Sequence, residues 1–301
     1  MEYKCEEVSK FYRKLFKKEE LVGVIDANLS FQTGEIIGIV GTSRSGKSSL
    51  IEILSGKVAP TVGKLNYDAK DISKVYNELG VKLNKNLSVY DNMVVFGKKY
   101  GMSELEVENR MAQLRDTFTL NKYINTKASE LDEANRVKAE LSMLLLPNPR
   151  ILFIDDAFAF LDNASRNEVL KCLKRLNKQE RTVIIMAAPH VSDVDKIINR
   201  IIVISKHKII YDNTLQTFKE KYCKRKLFEV YLNKNVSIDR IEGVDIVDSG
   251  EYYYKLLFDN IEGMFAKVIN LFDVNTIADL RISEQRLSDV VENIKKDGKY
   301  D

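Results

Sequence analysis

Two short stretches carry residue types at spacings that chemistry requires. In the first, Gly41-Thr42-Ser43-Arg44-Ser45-Gly46-Lys47-Ser48 fits G-x-x-x-x-G-K-[ST], with Ser49 following. A loop of this kind turns backbone N–H groups toward phosphate oxygens, and a helix starting at its end adds its dipole. Lys47 is then placed to reach terminal phosphates, and Ser48 to supply a magnesium ligand. The second stretch is ILFIDDAFAFLD, residues 151–162, in which an apolar run ends in adjacent carboxylates. Asp155 closes the run and is the expected magnesium partner, through water. Asp156 points the other way, toward the terminal phosphate, as the candidate base for a water, with one methylene less reach than a glutamate. The guanine-selecting N-K-x-D is missing, since NKNL and NKYI both lack the aspartate, so adenine is preferred by exclusion.

These residues need a scaffold of strands and helices. VGVIDANLSF and EIIGIV flank QTGE and read as a hairpin leading into a buried strand, directly ahead of the phosphate loop. After the loop, Leu50, Ile51, Ile53 and Leu54 give a helical apolar face. Residues 103–125 and 128–146 are helical in period, and the proline pair in PNP stops the second. The strand RILFIDD, the helix SRNEVLKCLKRLNKQ, the strand RTVIIMAA, a helix after Pro189 and the hairpin RIIVISKHKIIYDN follow. This alternation predicts an α/β fold with a mostly parallel core. The expected domains are 1–222, with a helical part at about 95–146, and a small α+β module at 223–301. In the module KLFEVYLN, DIVDS, YYYKLLFD and TIADLRIS are candidate strands, with helices at 262–272 and 284–296.

Composition narrows the class. A chain of 301 residues, 45% hydrophobic and 30% charged, is an ordinary folded one. Its 47 Lys and Arg against 44 Asp and Glu are dispersed, so no nucleic-acid footprint is expected. Cys5, Cys172 and Cys223 have no metal-like spacing and leave one thiol unpaired in any bridging scheme, which suits a reducing compartment. The start MEYKCEEVSKF lacks a signal peptide's apolar stretch, and a cytoplasmic chain that docks on a membrane protein is expected.

With both stretches placed, the chain resembles the nucleotide-binding subunit of an ABC transporter, over nearly its whole length. GTSRSGKSS matches that family's Walker A motif of the P-loop NTPases, with Arg44 where the family usually has glycine. ILFIDDAFAFLD matches Walker B and the D-loop: the resemblance makes Asp155 the magnesium aspartate and puts Asp156 at the catalytic glutamate position. Leu131-Asp132-Glu133-Ala134-Asn135 stands in place of the signature Leu-Ser-Gly-Gly-Gln. Carboxylates there would face phosphate charge, while Asp132 equally suits a helix N-cap. The Q-loop glutamine is missing from GVKLNKNLSVYDNM, where Asn84 is the nearest candidate. Counting back from Arg200 puts Pro189 at the switch position, with His190 one residue beyond. The adenine-stacking aromatic is Tyr12 or Phe16, with Tyr12 favoured by SKFY. VISKHKIIYDNTLQTFKEKY and TIADLRISEQRLSDVVENIKKD resemble the closing segments of exporter-type subunits.

The resemblance implies a subunit that binds Mg-ATP between residues 41–48 of one cassette and the signature region of another, in a homodimer or heterodimer. Hydrolysis would use Asp156, Lys47 and His190, and the region around residues 82–95 would move a transmembrane permease. Its place would be the inner face of the cell membrane, held there by the permease. The departures at Arg44, Asp132, Asp156 and His190 leave a second reading open, a regulatory or structural cassette with little or no ATPase activity.

Overall fold

The computed structural model describes residues 2–13, 20–67, 72–75, 83–156, 158, 161–238, 240, 242–259, 262–285 and 287–297. Phe16, Gly80 to Lys82 of the expected Q-loop stretch, and Ala157, Ala159 and Phe160 lie outside them. The chain divides into two compact units, 1–214 and 215–297, so the expected boundary at residue 222 falls inside the second.

The first unit runs through β1 (Glu2–Arg13), β2 (Glu20–Gln32), β3 (Ile36–Gly41), α1 (Lys47–Leu54), β4 (Val62–Leu65) and β5 (Ile72–Val75). It continues with α2 (Val89–Lys99), α3 (Glu104–Thr117), α4 (Glu133–Leu144), β6 (Ile151–Asp155), α5 (Asn163–Glu180), β7 (Val183–Ala188), β8 (Arg200–Ser205) and β9 (Lys208–Thr214). Six of the strands form one sheet in the order β5-β6-β7-β3-β8-β9, parallel except for the last pair. Strands β3, β6 and β7 are buried at every position, the pattern of a parallel sheet covered on both faces.

The predicted hairpin at QTGE does not form. Glu35 N–H does turn back to Gln32 C=O at 3.1 Å. Yet β2 pairs antiparallel with β1 in a separate sheet of order β2-β1-β4, while β3 enters the parallel sheet. An all-apolar strand such as Ile36–Gly41 gains more from neighbours on both faces than from a half-exposed partner. Helix α1 lies between the two sheets, and Leu50, Ile51 and Leu54 share one core with Val8, Ile39 and Phe153.

Three helices make up the helical part. Ser88 caps α2 by accepting from Asp91 N–H, and Ser103 and Glu106 form a reciprocal capping box on α3. The expected helices are real but shorter, and α2, which was not expected, precedes them. Arg110 of α3 spans to Glu180 at the end of α5 with two bonds of 2.6 and 2.8 Å and also donates to Leu145 C=O. Both side chains are largely buried, so Arg110→Ala strands a carboxylate and should cost about 2–3 kcal/mol. Urea denaturation checks this, and a loss below about 0.5 kcal/mol would show the clasp to be idle.

The helix expected after Pro189 is instead a single tight turn, Val191–Asp193, followed by further turns. Val191, Val194, Ile197 and Ile198 are the residues these turns bury.

The second unit contains α6 (Leu215–Tyr222), β10 (Arg225–Leu232), β11 (Val244–Gly250), β12 (Tyr253–Asp259), α7 (Met264–Ile269), β13 (Ile277–Glu284) and α8 (Leu287–Asp297). Its strands form an antiparallel sheet in the order β11-β12-β10-β13. Phe228, Val230, Leu256 and Phe258 meet Val268 of α7 and Phe272 in a core of their own.

Candidate nucleotide site

The loop between β3 and α1 is shaped by two glycines in tight quarters. A Cβ on Gly41 would sit 2.4 Å from Ile204 C=O, and one on Gly46, where φ is 109°, would sit 2.3 Å from Gly23 C=O. Neither position admits a larger residue without moving backbone. Between them Arg44 also takes a left-handed conformation, φ 62°, and Ser45 N–H donates to Thr42 C=O at 3.2 Å. The Arg44 side chain is exposed, so the loop carries it outward.

Lys47 opens α1 and folds back along the loop, with Nζ donating to Gly41 C=O at 2.8 Å and Thr42 C=O at 2.9 Å. A cleft of about 470 Å³ lies beside it, lined by Tyr12, Val22, Gly23, Arg44, Lys47 and His207 among others. Tyr12 donates through its hydroxyl to Ser49 Oγ at 3.3 Å, which places the ring at the edge of the cleft.

His207 was not singled out from the sequence. It sits with Lys206 in the β8–β9 turn, both with positive φ. Its N–H donates to Ser45 C=O at 3.0 Å, its C=O accepts from Ile25 N–H at 2.8 Å, and its Nδ1 lies 3.1 Å from Gly23 C=O. One residue thereby holds the phosphate loop to β2. The only signal in the sequence is the polar SKHK between two apolar strands.

Strand β6 delivers both carboxylates to the same end of the sheet. Asp155 is 6% exposed; burial pushes its pKa up, while a hydrogen bond from the Ser48 hydroxyl and the nearby Lys47 ammonium pull it back. Asp156 adopts φ 49° and donates its N–H to Ala187 C=O at 2.9 Å. Burial also raises its pKa, Asp193 raises it further, and Lys47, His190 and Arg166 oppose the shift.

The raised Asp155 pKa has a consequence for stability. A carboxyl whose folded-state pKa lies above its unfolded value contributes stability below the unfolded value and loses it as pH rises through the folded one. Asp155→Asn removes the buried charge, so the variant should have a higher Tm than the parent at neutral pH. At acid pH, as the carboxyl takes up its proton, the gain should shrink. Equal Tm differences at both pH values would show that burial of this charge costs nothing.

Arg166, in the first turn of α5, donates to an Asp193 oxygen and, at 3.2 Å, to Leu161 C=O. It therefore ties the segment after β7 to the segment after β6. His190 is exposed and lies within electrostatic reach of Asp156, while Pro189 directly follows β7.

Comparison with known proteins points to one family. The ABC transporter family model matches residues 24–159, a stretch that holds the loop, both carboxylates and the helical part. The ABC transporter ATP-binding protein NatA of Bacillus subtilis is 24% identical over 230 residues, 73% of this chain and 93% of that protein. The lipoprotein-releasing system ATP-binding protein LolD of Wigglesworthia glossinidia brevipalpis is 29% identical over 208 residues, 64% of this chain and 90% of that one. Among solved structures, cbiO1 of Clostridium perfringens, part of the ABC transporter complex cbiONQ, superposes with a TM-score of 0.65 at 20% identity, covering 73% of this chain and 91% of that one. Residues 24–159 form an ABC transporter domain, and the chain is similar to ATP-binding subunits of ABC transporters.

Two positions expected in family motifs are engaged in local hydrogen bonds. Asp132, at the signature serine, is the N-cap of α4: one oxygen accepts from Asn135 N–H at 2.8 Å and the other from Asn135 Nδ2 at 2.7 Å. Asn84, in the Q-loop stretch, spends its side-chain oxygen on Asn86 N–H at 3.0 Å, and its backbone is gripped by the buried Asn92 side chain. The cassette contains no helix among the described residues that is long and apolar enough to cross a membrane.

Proposed function

We propose that this subunit binds Mg-ATP on residues 41–49 and couples its binding and hydrolysis to export by a separate membrane-spanning permease, at the inner face of the cell membrane. The observation that carries the reading is the convergence of Lys47, Ser48, Asp155 and Asp156 at the start of α1, with Ser48 hydrogen-bonded to Asp155. Among the described residues no three His, Cys, Asp or Glu are grouped to hold a metal alone. A hydroxyl and one buried carboxylate suit magnesium, which keeps several waters and takes phosphate oxygens as further ligands. When bound it would be held by Ser48 and Asp155 and would offset charge on the phosphates.

The chain's own residues do the rest. The loop N–H groups and Lys47 fix the phosphates, and Tyr12 offers its ring to the adenine. Asp156 takes a proton from water as the water oxygen bonds to the terminal phosphorus and the bridging oxygen leaves with ADP. His190 stands near Asp156 and can steady its charge. A second cassette completes the site, as the dimer of the ATP-binding cassette MJ0796 with ADP and Pi supports. The exporter reading rests on the closing segments, since relatives are named for lipoprotein release and for methionine import.

A second reading is favoured by Asp132 and Asn84, whose side-chain oxygens are committed to local hydrogen bonds. A cassette with no signature hydroxyl would respond to nucleotide and leave chemistry to a better-equipped partner. The deciding measurement is Mg-dependent ATP turnover of the chain copurified with its membrane partner. Turnover supports the transport ATPase. ATP bound without turnover supports the nucleotide-responsive cassette.

A further inference from the structure

The strongest unexplained feature lies in the second unit, on the outer strand of its sheet. Among the described residues strand β13 is paired on one side only, with β10, and every residue from Ala278 to Glu284 is exposed. Its apolar residues are large ones, Leu280 at 36% and Ile282 at 45% exposure. Leu280 stands opposite Val230 and Ile282 opposite Phe228, so they extend the face that carries the unit's core. A long regular edge of this kind is a template for another strand. The opposite edge is blunted: β11 is broken by a bulge between Ile246 and Asp248 and carries Asp245 and Asp248.

We propose that β13 is the contact by which two copies of this chain join, antiparallel and edge to edge, into a continuous eight-stranded sheet. Charge selects both the occupant and the register. A two-fold axis normal to the sheet keeps each face on its own side, so the permitted registers slide in steps of two residues. Centring the axis on Leu280 sets Leu280 against its own copy, Ala278 against Ile282 and Asp279 against Arg281. Opposite charges then face each other on one surface and apolar side chains on the other. Shifting the centre to Asp279 or Arg281 puts a charge against itself. Asp279 and Arg281 already lie side by side, 3.5 Å apart, so both are held at the height the partner strand meets. The proposal is independent of the nucleotide chemistry.

Sedimentation equilibrium of the full chain without nucleotide tests it. The parent should dimerise; Asp279→Arg alone and Arg281→Asp alone should each raise the dimer Kd by about tenfold or more. The double exchange restores opposite charges and should restore the dimer. Both positions are exposed. As a second readout, in a background with Cys223→Ser, Leu280→Cys should form an intermolecular disulfide. Facing residues across a strand pair lie about 4.5–5.5 Å apart, within disulfide reach. Ile282→Cys should not, because its copy lies about 13 Å along the strand. A monomeric parent, a dimer that ignores both single exchanges, or equal crosslinking at the two cysteines would each overturn the proposal; the first would leave the edge for a different chain.

Discussion

Alanine at Lys47 should raise the Kd for Mg-ATP by roughly a hundredfold, about 3 kcal/mol, while leaving the fold intact. In the structure the ammonium holds two loop carbonyls, Gly41 and Thr42, at ordinary hydrogen-bond length. Those carbonyls are partners it can leave, because the chain reaches from the first turn of α1 along the loop toward the space where terminal phosphates would lie. Alanine deletes that cation and keeps the helix start, since alanine is the best helix former. Arginine is not an adequate replacement, because a planar fork fits poorly where a compact charge is cradled by backbone. Equilibrium titration with a fluorescent nucleotide reads the change, and circular dichroism checks the fold. An unchanged Kd would place nucleotide binding elsewhere on the chain.

Asp156→Asn should lower ATP turnover by about a hundredfold or more, the usual worth of a positioned general base, and leave ATP binding in place. The amide keeps the shape and cannot take a proton. It also removes a negative charge near the terminal phosphate, so affinity for ATP should hold or tighten. The pH profile supplies a second test. The working form is the carboxylate, so parent turnover should climb as pH rises through a pKa above the ordinary carboxylate range, raised by burial and by Asp193. Asp193→Asn should move that climb to lower pH. A rate unaffected by Asp156→Asn would remove Asp156 from the chemistry, and the nucleotide-responsive reading would then be the better one.

The parts of the site that could be read in advance are those written in one local spacing. G-x-x-x-x-G-K-[ST] and the paired aspartates each need a few consecutive residues, and the sheet brings them together because β3 and β6 flank β7 in parallel. The four strands of the second unit were legible for a similar reason, since short runs rich in aromatic and β-branched residues between polar breaks read as strands. Other features are set by partners distant in sequence. The QTGE turn exists, but a turn does not say which sheet its flanking strands enter. Strand β1 was obscured because register shifts between Cys5 and Val8 and again after Val8 break its alternation, with Glu7 at φ 53°. The Arg166–Asp193 pair joins two loops that no spacing rule connects. Asp132 was read either as a cap or as a phosphate contact, and its two bonds to Asn135 select the cap.

The grip of His207 on the phosphate loop also bears on synthesis. The loop residues leave the ribosome early, yet the turn that holds Ser45 and Gly23 comes 184 residues after Gly23. Strand β3, which ends in the loop, is likewise flanked only by β7 and β8, both late in the chain. Contacts of such long sequence separation form last. A growing chain therefore holds every residue of the phosphate loop long before it has a nucleotide site. ATP can act as a ligand only for a cassette whose first unit is almost fully made, and incomplete chains cannot draw on nucleotide for stability.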